Sequence, residues 1–257
     1  MTMVSRTCLG VITARGGSKG VLDKNIRPLH GRPVIDYTIQ VARACPHINR
    51  LILTTDSAEI QAVALRSGAE APFLRPVELS TDTAKQEDAI LHTMEWVEKQ
   101  GGKFDYLCLL EPTTPLRQVA TLNRGFELLA SRPETDAVFS IAECDFSPVF
   151  CSTLRADGLM KDWMDEKYKW LNRQEIPAYY QLTPLVTISK WQVFKEKQTF
   201  LHETTAALVV DGVEGRDIDS PLEFFLIERL LEKGFHHSSQ LNDYVNQVQT
   251  VTGSRHF

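Results

Sequence analysis

Arg15, Lys19 and Lys24 place three cations within ten residues, and Gly16, Gly17 and Gly20 are interleaved with them in "ITARGGSKGVLDKN". Phosphates call for backbone N–H groups that approach closely, which glycine permits, and for cations that offset their charge. A flexible surface turn has the same composition, so the stretch alone leaves both readings open. Two well-known phosphate loops do not fit. The Walker sequence needs glycine directly before its lysine and Ser/Thr after it, whereas the order here is Ser18-Lys19-Gly20. Glycines at 16, 17 and 20 also miss the G-x-G-x-x-G dinucleotide pattern. A nucleoside triphosphate carries about four negative charges, which three cations and a metal ion can offset.

A second constellation is acidic. In "GRDIDSPLEF", strand-like alternation turns Asp217 and Asp219 to one side and Ile218 to the core. Two hard carboxylates side by side suit Mg²⁺, which shares oxygen ligands with phosphates. Ser220, Pro221 and Glu223 fit the Ncap, N1 and N3 positions of a following helix, so capping and turn chemistry is the competing reading. "LLEPTTPLR" carries Glu111, Thr113, Thr114 and Arg117 on a proline-stiffened loop that either positions a ligand or is a structural turn. "FLRPVELSTDTA" adds Arg75 and Ser80, and "NRQEIPAYY" adds Arg173, Gln174 and Tyr180. No Ser/His/Asp or Cys/His arrangement stands out, and phosphoryl chemistry done by positioning and electrostatics needs no protein nucleophile.

The elements that must position these groups alternate between strand and helix. Strands are predicted at Cys8–Thr13, "RLILTT", a short "AEAPFLRP", "YLCLL", "DAVFSIA", "PLVTIS" and "ALVVDG". Between them lie helical patterns that open at Pro33, after the Asp56-Ser57 cap, after a Thr83/Gln86 capping box and around Val119–Leu129. The order implies an α/β fold with a mostly parallel sheet and helices on both faces, whose carboxyl edge is where ligands bind. Residues 1–235 read as one domain, with 143–203 an irregular, aromatic-rich insertion suited to a lid or dimer arm and 236–257 a polar tail.

At 257 residues, with 43% hydrophobic and 24% charged content, the chain can bury a large core. A net charge of −5 argues against general nucleic-acid binding, and no run is long enough for a membrane span. Cys8, Cys45, Cys108, Cys144 and Cys151 lack C-x-x-C spacing, and Cys8 and Cys108, inside apolar strand-like runs, read as reduced core residues, so a cytoplasmic location is expected.

Taken in order, the five stretches resemble the acylneuraminate cytidylyltransferases, the CMP-sialic acid synthetase family, from about Leu9 to Leu231. The resemblance implies a Rossmann-like three-layer sandwich, usually a homodimer whose arm reaches the neighbouring site, and Mg²⁺-dependent transfer of CMP from CTP to a 2-keto sugar acid. Arg15, Ser18 and Lys24 match phosphate-contacting positions, and Asn25 and Arg75 match positions near the cytidine. Ala14, Gly16, Gly17, Lys19 and Ser80 complete the implied nucleotide set. Asp217 and Asp219 match the metal pair, and with Arg15 and Lys24 form the implied catalytic group. Acceptor contacts are implied at Gln86, Glu111, Thr113, Thr114, Arg117, Arg173, Gln174 and Tyr180.

Three departures fall on the acceptor side. Glu111 stands where the family commonly has glutamine, Gln86 where sialic acid enzymes often have serine, and Thr183–Thr187 replaces an Asn-Gly-Ala-x-Tyr sequence. A sialic acid-like nonulosonate other than N-acetylneuraminate, amino-bearing or bis-acylated, is therefore expected. The alternatives are a Kdo-type sugar, a phosphonate, a sugar-1-phosphate nucleotidyltransferase activity, or a nucleotide-binding module without catalysis. Retention of both aspartates argues against the last.

Overall fold

A computed structural model describes residues 6–18 and 20–252. Lys19, expected in the phosphate loop, lies outside the described residues. The chain opens with strand β1 (Cys8–Thr13), as its composition predicts, followed by a two-residue hairpin of β2 (Pro28–Leu29) and β3 (Arg32–Pro33). Helix α1 (Val34–Ala44), strand β4 (Arg50–Thr54) and helix α2 (Ala58–Ser67) come next. Ser57 caps α2 by accepting from the Ile60 N–H, and Gly68 ends it in the left-handed conformation. Helix α3 (Gln86–Lys99), β5 (Tyr106–Leu109), α4 (Val119–Ser131) and β6 (Ala137–Glu143) complete the first half. After an irregular stretch come β7 (Tyr180–Lys190), α5 (Trp191–Lys197), β8 (Thr205–Val209), α6 (Pro221–Glu232) and α7 (Ser238–Thr252).

Six strands form one sheet in the order β4-β1-β5-β7-β6-β8, with β7 antiparallel to both of its neighbours and the other pairings parallel. Strand alternation sorts the core. Cys8 and Ile12 of β1 join Cys108 of β5 beneath α1, α2 and α4, while Leu9 and Val11 join Leu107 and Leu109 beneath α3 and α5. A third cluster seats α6 on the carboxyl edge through Ile218, Ile227 and Leu230. Among the described residues no helix is long and apolar enough to cross a membrane.

Several local expectations need correction. "AEAPFLRP" is not a strand: it touches the sheet only at the bridges Ile52–Glu70 and Thr55–Leu74, because Pro72 and Pro76 cannot donate to a ladder. The Thr83/Gln86 capping box does not form. Helix α3 begins at Gln86 itself, and the Gln86 side chain donates to Thr13 Oγ1 at 2.8 Å. The 216–219 segment joins no ladder and is held instead by Ile218 N–H donating to Thr113 O at 2.9 Å. The irregular part of the insertion spans 144–179, since β7 and α5 return to the sheet, and the polar tail contains α7.

Candidate active site

The chain passes from β1 to β4 on one side of the sheet and then crosses to β5 on the other. Between the carboxyl ends of β1 and β5 the strand order therefore reverses, the place where open α/β sheets bind ligands. A cavity of about 460 Å³ lies there, walled by the loop after β1, the 75–86 segment, the loop after β5 and the 217–219 segment.

The loop after β1 is shaped by short polar ties. The Gly16 N–H donates to Asp56 Oδ1 at 2.9 Å, and Asn25, almost fully buried, donates from Nδ2 to Arg15 O at 3.0 Å. Gly17 adopts φ +67°, which glycine takes without strain. Gly20 is needed for a different reason: a Cβ there would lie 2.4 Å from the Asp219 backbone oxygen. The cationic loop and the acidic segment thus touch backbone to backbone. Lys24 bridges them a second time, its Nζ donating to Ile218 O at 2.6 Å and Asp219 Oδ1 at 3.1 Å. Arg15 pairs with Asp82 at 2.7 Å and stays part-exposed. Arg75 is buried, its Nε donating to Ser80 Oγ at 2.9 Å, and burial lowers its pKa from the ordinary arginine value.

The acidic side is electrostatically loaded. Burial, and next among the raising causes the charge of Asp219, lift the Asp217 carboxyl above its usual range, against the Thr113 hydroxyl and Lys24. Glu111 is raised in the same direction, first by burial and then by Asp217. Asp217 Oδ1 is buried without a hydrogen-bond partner, a costly state for a carboxylate oxygen. An orphaned hard oxygen beside a second carboxylate, facing a phosphate-sized loop, fits a divalent cation completed by ligand oxygens. Ser220, Pro221 and Glu223 do form the capping box of α6, so capping anchors the segment that carries the acidic pair.

The structure gathers Arg15, Ser18, Lys24, Asn25, Arg75, Ser80, Gln86, Glu111, Thr113, Asp217 and Asp219 around this one cavity. Ala14, Gly16 and Gly17 shape its loop without lining it. Five expected acceptor residues are placed elsewhere. Thr114 is buried and turns its hydroxyl to Glu111 O. Arg117 is buried with its guanidinium committed to Leu185 O, Pro184 O, Glu111 O and Thr38 Oγ1, where it satisfies carbonyls exposed by the irregularity between β6 and β7. Arg173 and Gln174, in the irregular 144–179 stretch, and Tyr180, at the start of β7, sit exposed outside the cavity. Thr13, Gly20, Asp82 and Lys85 line the cavity although sequence reasoning does not mark them as site residues; the one signal is that Lys85 directly follows "STDTA".

A second cavity, about 310 Å³, shares Asp217 and Asp219 with the first and extends past Thr183 and Pro184 to Glu143, Asp145, Arg216 and Glu223. The acidic pair therefore stands between two chambers.

An open sheet that gathers cations on one loop and a carboxylate pair on another, around a crevice at its switch point, is the frame of a nucleotidyltransferase. Comparison narrows that class. The chain belongs to the cytidylyltransferase family, whose sequence pattern matches residues 9–250, and is a CTP-dependent nucleotidyltransferase. It is 30% identical to a CMP-N,N'-diacetyllegionaminic acid synthase of Legionella pneumophila, over 87% of this chain and 96% of that one. An N-acylneuraminate cytidylyltransferase of Escherichia coli is 28% identical over 88% of this chain and 52% of its own length. A CMP:2-keto-3-deoxy-manno-octonic acid synthetase solved with CTP shares the fold, with a TM-score of 0.64 at 12% identity, covering 89% of this chain and 100% of that chain.

Proposed function

We propose that this enzyme couples CTP to a nonulosonic, sialic acid-like sugar acid, giving the CMP-sugar and pyrophosphate, with Mg²⁺ held by Asp217 and Asp219. The carrying observation is the pair of chambers divided by these carboxylates: one faces Arg15, Lys24 and Arg75, and the other is open to an acceptor. The acceptor's anomeric hydroxyl oxygen attacks the α-phosphorus and loses its proton to solvent as the bond to the bridging oxygen breaks in line, and the β,γ-phosphates leave together as pyrophosphate. Arg15, Lys24 and the Ser18 loop bind the triphosphate and stabilise the charge that gathers on the leaving pyrophosphate. Arg75, Ser80 and Asn25 hold the nucleoside end. Mg²⁺, when bound, neutralises phosphoryl oxygens and lowers the cost of the developing charge.

The acceptor is a bis-acylated sugar of the kind that the Legionella relative's name prints, in keeping with the departures at Gln86, Glu111 and Thr183–Thr187. The enzyme works as a homodimer. The arm exposes Phe146, Leu154, Leu159, Met160 and Trp170, an apolar surface that a second copy would cover while bringing Arg173, Gln174 and Tyr180 to the neighbouring acceptor chamber. Five free cysteines, three of them buried, favour a reducing, cytoplasmic setting.

Pyrophosphate release tests the reading. CTP and Mg²⁺ are offered with N-acetylneuraminate, legionaminate- and pseudaminate-type acids, Kdo, 8-amino-Kdo and simple phosphonates, with UTP and ATP as nucleotide controls. Release with CTP and a diacylated nonulosonate is expected. Turnover of Kdo or a phosphonate alone would overturn the acceptor class, and UTP preference would overturn the nucleotide.

A further inference from the structure

Glu214 lines neither chamber, yet it is a buried carboxylate with only 4% of its surface exposed. Its Oε1 accepts the Gln118 N–H at 2.9 Å and its Oε2 accepts the Thr121 hydroxyl at 2.9 Å. Those donors are the N-terminal end of α4, whose own N-cap side chain, Gln118, makes no capping bond. An acidic group from a distant loop thus supplies the cap, at the end of the helix dipole that favours negative charge.

What this tie joins gives it meaning. Gln118 closes the loop that begins at Glu111 and holds Thr113 on the site, while Glu214 precedes Asp217 by three residues. The same two loops meet again at the site, where Ile218 N–H donates to Thr113 O at 2.9 Å. Between the two ties Gly215 lies so close to Thr183 and Asp211 that an added Cβ would sit 3.3 Å from each. Upstream, Asp211 Oδ1 accepts from the Val213 and Glu214 N–H groups and from the Ser238 N–H that opens α7. The segment carrying the acidic pair is therefore fastened behind the site by Glu214 and at the site by a backbone bond.

We propose that Glu214 is a positioning residue for cytidylyl transfer: by bolting the 211–219 segment to the start of α4 it fixes where the Asp217 and Asp219 carboxylates stand, and so sets their affinity for a divalent cation. The inference rests on the metal assignment under the proposed function. A buried glutamate that touches no ligand is retained for geometry, since an apolar residue there would avoid the desolvation cost but leave the helix end unpaired.

Mn²⁺ titration followed by electron paramagnetic resonance, in the presence of CTP, reads this without turnover. In Glu214→Leu, which keeps the bulk and removes both acceptors, the Mn²⁺ Kd should rise about 10- to 100-fold, the range seen when residues supporting metal ligands are lost. CTP affinity measured in EDTA should fall much less than Mn²⁺ affinity, because the cationic loop reaches Glu214 only indirectly, through the Lys24 and Gly20 contacts with 218–219. Glu214→Gln should remain within about threefold of wild type: its amide oxygen accepts from Gln118 N–H and its amide nitrogen donates to the Thr121 hydroxyl. Should the leucine variant fail to fold, Thr121→Val, which removes one of the two bonds, is expected to raise the Mn²⁺ Kd by several-fold. Folded variants with unchanged Mn²⁺ affinity, or with CTP affinity in EDTA lost by the same factor, overturn the positioning role. A wild-type protein that binds CTP but no Mn²⁺ overturns the metal assignment, and the inference with it.

Discussion

Gly20→Ala is the smallest change that should separate catalysis from stability here. An ideal Cβ at Gly20 falls 2.4 Å from the Asp219 backbone oxygen, and ordinary contact starts at 3.4 Å. Neither partner is a flexible side-chain end, so one loop must move about 1 Å relative to the other, a misplacement of the size that costs on the order of a hundredfold in rate, or ~2.7 kcal/mol of barrier. The movement also pulls Ile218 O and Asp219 Oδ1 away from Lys24, whose bonds to them are 2.6 and 3.1 Å. Stability should respond differently. Gly20 and Asp219 are both exposed, so the clash falls between surface loops rather than in the core and costs folding less than it costs the rate. Pyrophosphate-release kinetics, with CTP varied at saturating acceptor, and thermal melting would be measured on the same sample. The expected pattern is kcat/KM for CTP down about a hundredfold with a melting temperature within about 4 °C of wild type. Full activity would refute the claim that the two loops meet at this contact. Gly17→Ala is the contrast: φ +67° with nothing within 4 Å predicts local strain of about 1–2 kcal/mol and no displacement of Asp219.

Asp219→Asn should lower kcat by about a hundredfold or more while leaving the fold intact, as its side chain is largely exposed; near-normal turnover would remove it from the metal site. Glu111→Gln should change the ranking of acceptors in the acid panel more than it changes KM for CTP, and an equal effect on both would place Glu111 outside the acceptor's reach. Asp136 accepts from Lys190 Nζ at 2.7 Å and Thr204 Oγ1 at 2.8 Å, and these bonds hold its carboxyl below the usual range. A carboxyl with a depressed folded value stabilises above its unfolded value and loses that contribution as pH falls through the folded one. Asp136→Asn should therefore melt lower than wild type at pH 7, by about 1 kcal/mol, with the gap closing below about pH 4 in paired urea melts.

How much of this was legible follows from which forces act locally. Strand β1 and the capping box of α6 were readable because alternation and Ser-Pro-x-Glu spacing are set by neighbours in sequence. The same spacing at Thr83 and Gln86 does not produce a cap, because α3 starts at Gln86 with Lys85 as its N-cap, and the Gln86 amide donates to Thr13 Oγ1 at the end of β1. The facing of Asp217 and Asp219 was right for the wrong reason: Ile218 is buried and alternation holds, yet the segment pairs with Thr113 rather than with a strand. Arg117 shows the limit most clearly. An arginine beside a proline-rich loop at a ligand edge looks like a substrate group, and nothing near it in sequence reveals that β7 presents Pro184 and Leu185 carbonyls for it to satisfy.

Charge accounting ties the proposed dimer to the acceptor. The second chamber is walled by Glu143, Asp145, Asp217, Asp219 and Glu223, and its single cation among the described residues, Arg216, is already paired with Asp145. Glu223 is committed to the cap of α6, and Asp217 and Asp219 are the proposed metal ligands. A sugar carboxylate entering that chamber therefore meets no uncommitted positive charge from the described residues of its own chain, and an unpaired buried charge costs several kcal/mol. The nucleotide half is different, since Arg15, Lys24 and Arg75 all come from within. In the proposed dimer a second copy would bring that cation, and Arg173 can supply it, because it stands exposed in the 144–179 segment and donates to Asp145 O of its own chain at 3.0 Å. Mixing an Asp219→Asn chain with an Arg173→Ala chain decides the matter. If the arm serves the neighbouring site, heterodimers regain one site with both residues intact and recover up to about a quarter of wild-type activity under random pairing of equal amounts. If Arg173 acts within its own chain, each heterodimer holds one site with each defect, and no activity returns.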